Sequence, residues 1–324
     1  MGTQAAISKI RPIQPRVVVK TASKAITRYP LDRSPLFRLS NRRKLAKLLG
    51  MTERELQVRY KDQDGYRRWD QKDAKGKIRS IQCPRQALRR IHERVASLLM
   101  RIELPAFLFC PVKRRSYIAN AAQHAGAVEI RTLDIKSYFP STPSRRVYWF
   151  FHSTMDCSSD VATMLARLLT VDEHLATGSP ISPVLAFYAF YDRWTAAALL
   201  VTAAGCKLTV YVDDATISGN SIPAGLLWAV RKIIYGSGLR YHKQRHFGGG
   251  SAQVTGVVLR SDGSLALPHR QHQKAHALRL VWRATEDQSN LEALDRKIAG
   301  LAAQQFQLKN FVRDAKLLSV NSKG

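Results

Sequence analysis

The stretch KLTVYVDDATISG, residues 207–219, is the most strand-like segment of the chain, and it carries two adjacent aspartates. Carboxylates are poor strand residues, so two side by side need a turn, a cation or both to be tolerated. Alternation puts Leu208, Val210 and Val212 on one side and Thr209 and Tyr211 on the other. Asp213-Asp214 then fall where a hairpin turns, and 215–218 returns.

The chain around this hairpin has 324 residues, 45% of them apolar, enough for a true core and for two or three lobes. Lys and Arg number 52 against 24 Asp and Glu, a balance of +28 that repels itself unless a polyanion offsets it. Residues 1–120 hold 29 basic and 9 acidic residues (+20), whereas 121–324 hold 23 and 15 (+8), so the front third is the expected polyanion-facing part. A surface made soluble by charge alone mixes the signs. Cys83, Cys110, Cys157 and Cys206 form no C-x-x-C and lack histidines at zinc spacing, which predicts reduced, structural cysteines in a cytosolic protein. No apolar run approaches the roughly 18 residues of a membrane span. Residues 1–28 carry six basic residues and no hydrophobic segment, which argues against a signal peptide. Pro12 and Pro15 argue against an amphipathic transit helix.

Along the chain, residues 1–30 read as a basic arm that orders on a partner. Two short amphipathic helices follow around Gly50 and Thr52, the second opened by a Thr52/Glu55 capping box. RRWDQKDAKGKIRSIQCP (67–84) predicts a hairpin turning at Lys75-Gly76, with Ile78 and Ile81 near the core. Leu88, Ile91, Val95, Leu98 and Leu99 recur at helical spacing, predicting a helix to Pro105. AVEIRTLDIKSYF (127–139) reads as a strand with Val128 and Ile130 on one face, delivering Asp134 at its end, and a helix is expected from Pro143. SPISPVLAFYAFYDRWTAAALL (179–200) reads as one helix with Ser182 as N-cap and Pro183 at N1. A glycine run, a short strand pair and a turn at Asp262-Gly263 precede a helical tail from Arg270, where Leu291, Leu294, Ile298 and Leu301 form one stripe. There is no internal repeat.

Phosphoryl transfer needs little covalent help from protein; it needs metal ions that align the nucleophile with the α-phosphate and absorb charge. Mg²⁺ takes hard oxygen ligands and keeps several waters, so a few aspartates converging from neighbouring strands suffice. Asp134 with Asp213 and Asp214 fit this if their strands are adjacent. The plainer alternatives are an Asx-type turn at Asp213-Asp214 and a helix N-cap at Asp134.

LDIKSYFPS (133–141), TGSPISPVLAF (177–187) and YVDD (211–214) occur in the order and approximate spacing of the reverse transcriptase palm. With NAAQH (120–124) before the first aspartate and VTG (254–256) after the last pair, the chain resembles the retron-type bacterial reverse transcriptases, RNA-directed DNA polymerases, over roughly residues 75–260. The resemblance implies an α+β right-hand polymerase: N-terminal helices and fingers over 31–127, a palm with an antiparallel sheet over 128–260 with a finger insertion near 143–177, and a helical thumb over 261–324. It implies two Mg²⁺ ions on Asp134, Asp213 and Asp214 with the backbone of Ile135. It also implies deoxynucleotide contacts at Lys77, Arg79, Phe139, Gly178 and Pro180, where the Phe139 ring excludes a 2′-hydroxyl; taken without the motif, Phe139 reads as a core aromatic. Three positions depart from the pattern. Thr177 stands where Gln is usual, Val212 where a small residue is usual, and His242 and Arg245 where an Asn…Lys pair is expected. Arg is a poor proton donor to pyrophosphate, leaving Lys243 or His246 as substitutes, or the role a minor one.

The resemblance further implies partners: a structured noncoding RNA that is template and, through a guanosine 2′-hydroxyl, primer; a branched RNA–DNA product (msDNA); and a separate effector or toxin protein held inactive in bacterial antiphage defence. The length read here leaves no room for an effector domain, and no membrane is involved. Asn120, His124, Arg270, Lys274, Arg279 and Arg283 are the candidate RNA contacts, although helical arginines often form only a solvated face. A group II intron maturase and a non-catalytic RNA-binding scaffold are the rival readings; the former expects further domains after residue 260, the latter no need for three aspartates and Phe139.

Overall fold

Local signals start the chain's first helices. Asn41 caps α1 (Arg42–Leu49) by accepting from the Lys44 amide, and Gly50 ends it in the left-handed region at φ 74°. Thr52 and Glu55 form the expected capping box of α2 (Glu53–Lys61). The computed structural model describes residues 27–62, 65–72 and 76–321, with side chains through 314; most of the expected basic arm and Lys75 of the expected turn lie outside them.

The hairpin of β1 (Tyr66–Lys72) and β2 (Ile78–Pro84) pairs antiparallel from Tyr66↔Pro84 to Lys72↔Ile78. Ile78 is not near the core as expected but 58% exposed, because it lies at the outer end of a hairpin that projects from the body; only Ile81, nearer the base, is half-buried. Helix α3 (Gln86–Leu99) buries the predicted stripe and also His92, and it ends at Leu99, short of Pro105.

A five-stranded sheet, in the order β3-β5-β6-β4-β7, organises the centre. Its members are β3 (Leu108–Cys110), β4 (Glu129–Ile135), β5 (Lys207–Tyr211), β6 (Asp214–Gly219) and β7 (Tyr241–Gly248). Only β3–β5 is parallel; the other pairs are antiparallel. One face buries Leu133, Ile135, Leu208, Val210, Ala215 and Ile217 in the main hydrophobic core. Val128 lies just outside β4 and is 55% exposed, so it does not share the inward position of Ile130.

Helices pack against that apolar face. They include α5 (Ser144–Trp149), which starts directly after Pro143 as expected, α6 (Ser159–Leu169), α7 (Ser182–Ala189), α8 (Tyr191–Ala203) and α9 (Ala224–Gly236). The single helix expected over 182–200 is two, bent by 69° at Phe190. Arg146 fixes the bend: Nε donates to Ala189 O at 2.7 Å, the guanidinium pairs with Asp192, and it lies 4.1 Å from the Trp149 ring centroid and 5.1 Å from that of Phe190. Ser182 is not an N-cap either. It is the first helical residue, Ile181 occupies the cap position, and the Ser182 hydroxyl instead donates to Ala176 O at 2.7 Å.

On the sheet's other face, α4 (Tyr117–Ala122) and a three-stranded sheet of β8 (Ala252–Val254), β9 (Val257–Leu259) and β10 (Leu265–Ala266) enclose a smaller core with Ile130 and Leu308. Helices α10 (His269–Arg283) and α11 (Gln288–Asn321) pack on each other, with Leu294 buried and Leu291, Ile298 and Leu301 half-buried along the predicted stripe. The class is α+β. Among the described residues the four cysteines are free and no single helix is long and apolar enough to cross a membrane.

Candidate active site

The hairpin of β5 and β6 closes at Tyr211↔Asp214, so Val212 and Asp213 form its two-residue turn and Asp214 is already on the return strand. The turn thus begins one residue earlier than alternation suggested. Val212 is not a strand position; it takes φ 57°, costly for a β-branched residue and held here by its packing against the core. The Ile135 amide donates to Asp213 O at 2.8 Å, tying the turn to the end of β4.

Register then does what sequence distance cannot. Asp134 lies directly opposite Asp214 on β6 and opposite Lys243 on β7, making one row across three strands; Thr216, Thr132 and Arg245 make another two residues along. Asp134 pairs with Lys243 but Ile135 with Tyr241, so His242 is the extra residue of a bulge. The bulge brings His242 Nδ1 to 3.8 Å from Asp134 Oδ1.

Asp134 stands between two cavities. One, of about 620 Å³, is bordered by Asp213, Phe139, Lys77, Arg79, Thr177 and His242; the other, of about 300 Å³, by Asp214, Lys243, Arg245, Arg270 and the Thr255-Gly256 turn. Burial, then Asp134, holds the Asp213 carboxyl above its usual range. Burial, then Asp213 and Asp134, pushes Asp214 up to about 6. Two half-buried carboxyls held above the usual range beside Asp134 are a donor set that fits a hard divalent cation, which would relieve the repulsion. Among the described residues no three acidic, His or Cys side chains form a ready-made cage. Mg²⁺ does not require one, since it keeps waters and takes substrate phosphate oxygens.

Phe139 is seated by its neighbour. Tyr138 is buried, donates to Ala186 O at 3.0 Å, accepts from Trp194 Nε1 at 3.1 Å, and stacks on Phe139 and Phe190 with ring centroids 6.1 and 6.3 Å away. Gly178 adopts φ 117°, and a Cβ there would stand 3.0 Å from Ile81 Cγ2 and 3.3 Å from Gln82 O. It therefore faces the β2 backbone, while Pro180 is half-buried beside it. The Gln82 amide donates to Thr177 O at 2.7 Å, latching the hairpin to this loop.

Several expectations change. Asn120 and His124, expected on RNA, are each 1% exposed and unable to reach a nucleic acid. His124 bonds Ser218 Oγ and Thr209 Oγ1, both at 2.7 Å, and burial lowers its pKa to about 3. Asn120 Nδ2 donates to Thr255 Oγ1 at 3.4 Å, so NAAQH and VTG meet as a joint between α4, the β8–β9 turn and the central sheet. His246 pairs with Glu129 at 3.1 Å and sits opposite Arg131, three residues from Asp134 and roughly 10 Å along the strand, too far to replace a proton donor there. Arg245 borders the smaller cavity, so of the His242/Arg245 pair only His242 faces the Phe139 side. Arg270 joins the smaller cavity, and Lys274, Arg279 and Arg283 are exposed along α10.

Sequence reasoning missed His92. Its Nδ1 lies 2.6 Å from Ser179 Oγ and its Nε2 2.8 Å from Leu168 O, and burial lowers its pKa to about 4. It pins the TGSP loop from below. The available signal was a histidine on the apolar stripe of α3.

No family model matches the chain. Curated relatives do. The Retron Se72 reverse transcriptase of Salmonella heidelberg (strain 579083-10) is 28% identical over 145 residues, covering 44% of this chain and 38% of the relative. The Retron Ec86 reverse transcriptase of Escherichia coli is 26% identical over 154 residues, covering 47% and 48%. The Retron Mx65 reverse transcriptase of Myxococcus xanthus is 28% identical over 231 residues, covering 62% and 52%. The alignments span about half or less of these relatives' own lengths.

Proposed function

Because the chain is similar to retron-type reverse transcriptases, we propose that it is an RNA-directed DNA polymerase that copies a cognate structured RNA into DNA. The carrying observation is that Asp134 and the Asp213-Asp214 pair, some eighty residues apart, meet at one end of the central strands beside a nucleotide-sized cavity. In this reading the central sheet is a palm, the β1–β2 hairpin belongs to fingers, and α10–α11 are a thumb.

Asp134, Asp213 and Asp214, with the Ile135 backbone, would hold two Mg²⁺, which when bound align the attacking hydroxyl with the α-phosphate and absorb charge on the oxygens. Lys77 and Arg79 then grip the triphosphate, Arg79 bidentately. Phe139 closes the sugar side against a 2′-hydroxyl, and Tyr138 keeps its ring from yielding. Gly178 and Pro180 form a small-residue floor. His242 lies on the triphosphate side and is a candidate contact there.

Priming from a guanosine 2′-hydroxyl, a branched RNA–DNA product, a separate effector protein and a cytoplasmic role in antiphage defence complete the proposal. Its test is direct. Purified with its RNA, Mg²⁺ and deoxynucleotides, the protein is expected to extend DNA from an RNA hydroxyl, and Asp213→Ala with Asp214→Ala to abolish extension while RNA binding persists. Continued synthesis by the double variant would overturn the catalytic assignment. Binding without synthesis by the unmodified protein would favour the scaffold reading.

A further inference from the structure

A second cleft, of about 800 Å³, opens at the base of the β1–β2 hairpin, between α2, α5, α6 and residues 170–173. It is larger than either cavity beside Asp134, and its lining differs in kind. Four arginines and three tyrosines border it, with Asp62, Asp172 and Glu173. The acids are engaged. Asp172 receives both guanidinium nitrogens of Arg68 at 2.7 and 3.0 Å and Gln82 Nε2 at 3.0 Å, Asp62 accepts from Arg59 at 3.4 Å, and Glu173 accepts from the Ser144 hydroxyl. Arg145 and Arg167 have no acidic partner among the described residues, and both are exposed. The Arg167 guanidinium lies 4.8 Å from the Tyr60 ring centroid, a flat cation on a flat ring. Tyr148, half-buried, presents a second ring at the cleft.

We propose that this cleft binds an unpaired segment of RNA, stacking bases on Tyr148 and on the Tyr60–Arg167 pair and placing the flanking phosphates on Arg145 and Arg167. Ring faces beside uncompensated guanidinium groups suit a single strand, whose bases expose their π-faces; a duplex hides them. An acidic protein segment would gain from the arginines but bring no run of π-faces to stack on the two rings.

The cleft also connects to the candidate active site through covalent and hydrogen-bonded structure. The hairpin's base carries Tyr66 and Arg68 into the cleft, and its outer part carries Lys77 and Arg79 to the cavity beside Asp134. Asp172 binds Gln82 by its side chain, and the Gln82 amide binds Thr177 O, next to Gly178. A strand held in the cleft thus presses on the element that borders the nucleotide-sized cavity. The inference rests on the reading that the chain handles RNA, but its test requires no DNA synthesis.

Fluorescence anisotropy of the full chain with a short labelled, unstructured RNA, and separately with a blunt RNA duplex, decides it. Tyr60→Ser with Tyr148→Ser is expected to weaken single-strand binding about tenfold or more and leave duplex binding unchanged, while Tyr60→Phe with Tyr148→Phe retains wild-type affinity. Arg145→Ala with Arg167→Ala, both on the surface and safe for folding, is expected to lower the salt dependence of single-strand binding by about one released ion per arginine. Wild-type single-strand affinity in the Ser pair, equal loss in the Phe and Ser pairs, or an unchanged salt slope in the arginine pair would each overturn the proposal. So would displacement of the Arg145 and Arg167 contacts by an acidic peptide but not by RNA. Should the protein bind RNA through the cleft yet make no DNA, the polymerase reading fails and the cleft stands.

Discussion

His92 and His124 are both buried neutral, and each uses its two ring nitrogens on groups far away in sequence. Folding takes their pKa values from 6.5 to about 4 and about 3. The unfolded chain therefore binds protons that the folded chain refuses. The stability these two residues contribute is complete above pH 6.5 and is lost as the pH falls toward 4, each adding a slope approaching about 1.4 kcal/mol per pH unit. Urea midpoints measured between pH 7 and pH 4 are expected to fall accordingly, and His124→Gln to remove about one proton's worth of that slope. An unchanged slope would mean that His124 is charged in the fold. That this residue marks a family resemblance was legible; its purpose was not, because the Thr209 and Ser218 hydroxyls it satisfies arrive some ninety positions later.

Elements show where local pattern suffices and where it fails. The capping box at Thr52 was readable because a cap is decided within four residues. The break between α7 and α8 was not, since nothing in the segment 184–201 announces it; Arg146, from another helix, binds its carbonyl and its aspartate. The loop at Gly178 belongs to the same scale. Alanine there must adopt φ 117° and place Cβ 3.0 Å from Ile81. Gly178→Ala is expected to cost about 1–3 kcal/mol in denaturant unfolding and, if the loop borders the nucleotide, to raise KM for deoxynucleotides more than it lowers kcat. Adding Ile81→Ala should recover only part, because the backbone strain remains.

For the molecule as a whole, the governing quantity is the +28 balance and its concentration in the first 120 residues. RNA binding by such a chain is expected to fall steeply and log-linearly with salt. Arg279 and Arg283 are exposed on α10, and Arg279→Ala with Arg283→Ala should lower the slope by about one per cation if that helix lies on RNA. Filter binding over a salt series measures this, and an unaltered slope would assign α10 an ordinary solvated face.

The sequence by itself determined the β5–β6 hairpin, the capped start at Thr52, the apolar stripes of α3 and α11 and the charge, because each is written in nearby residues or in composition. Only tertiary structure decided that Asp134 faces Asp214, that a bulge turns His242 toward Asp134, that Asn120 and His124 are joints, and that a second cleft opens under the hairpin. Those outcomes depend on strand register and helix packing between segments tens of residues apart, and no local pattern encodes which partner a buried hydroxyl, carbonyl or carboxylate will meet.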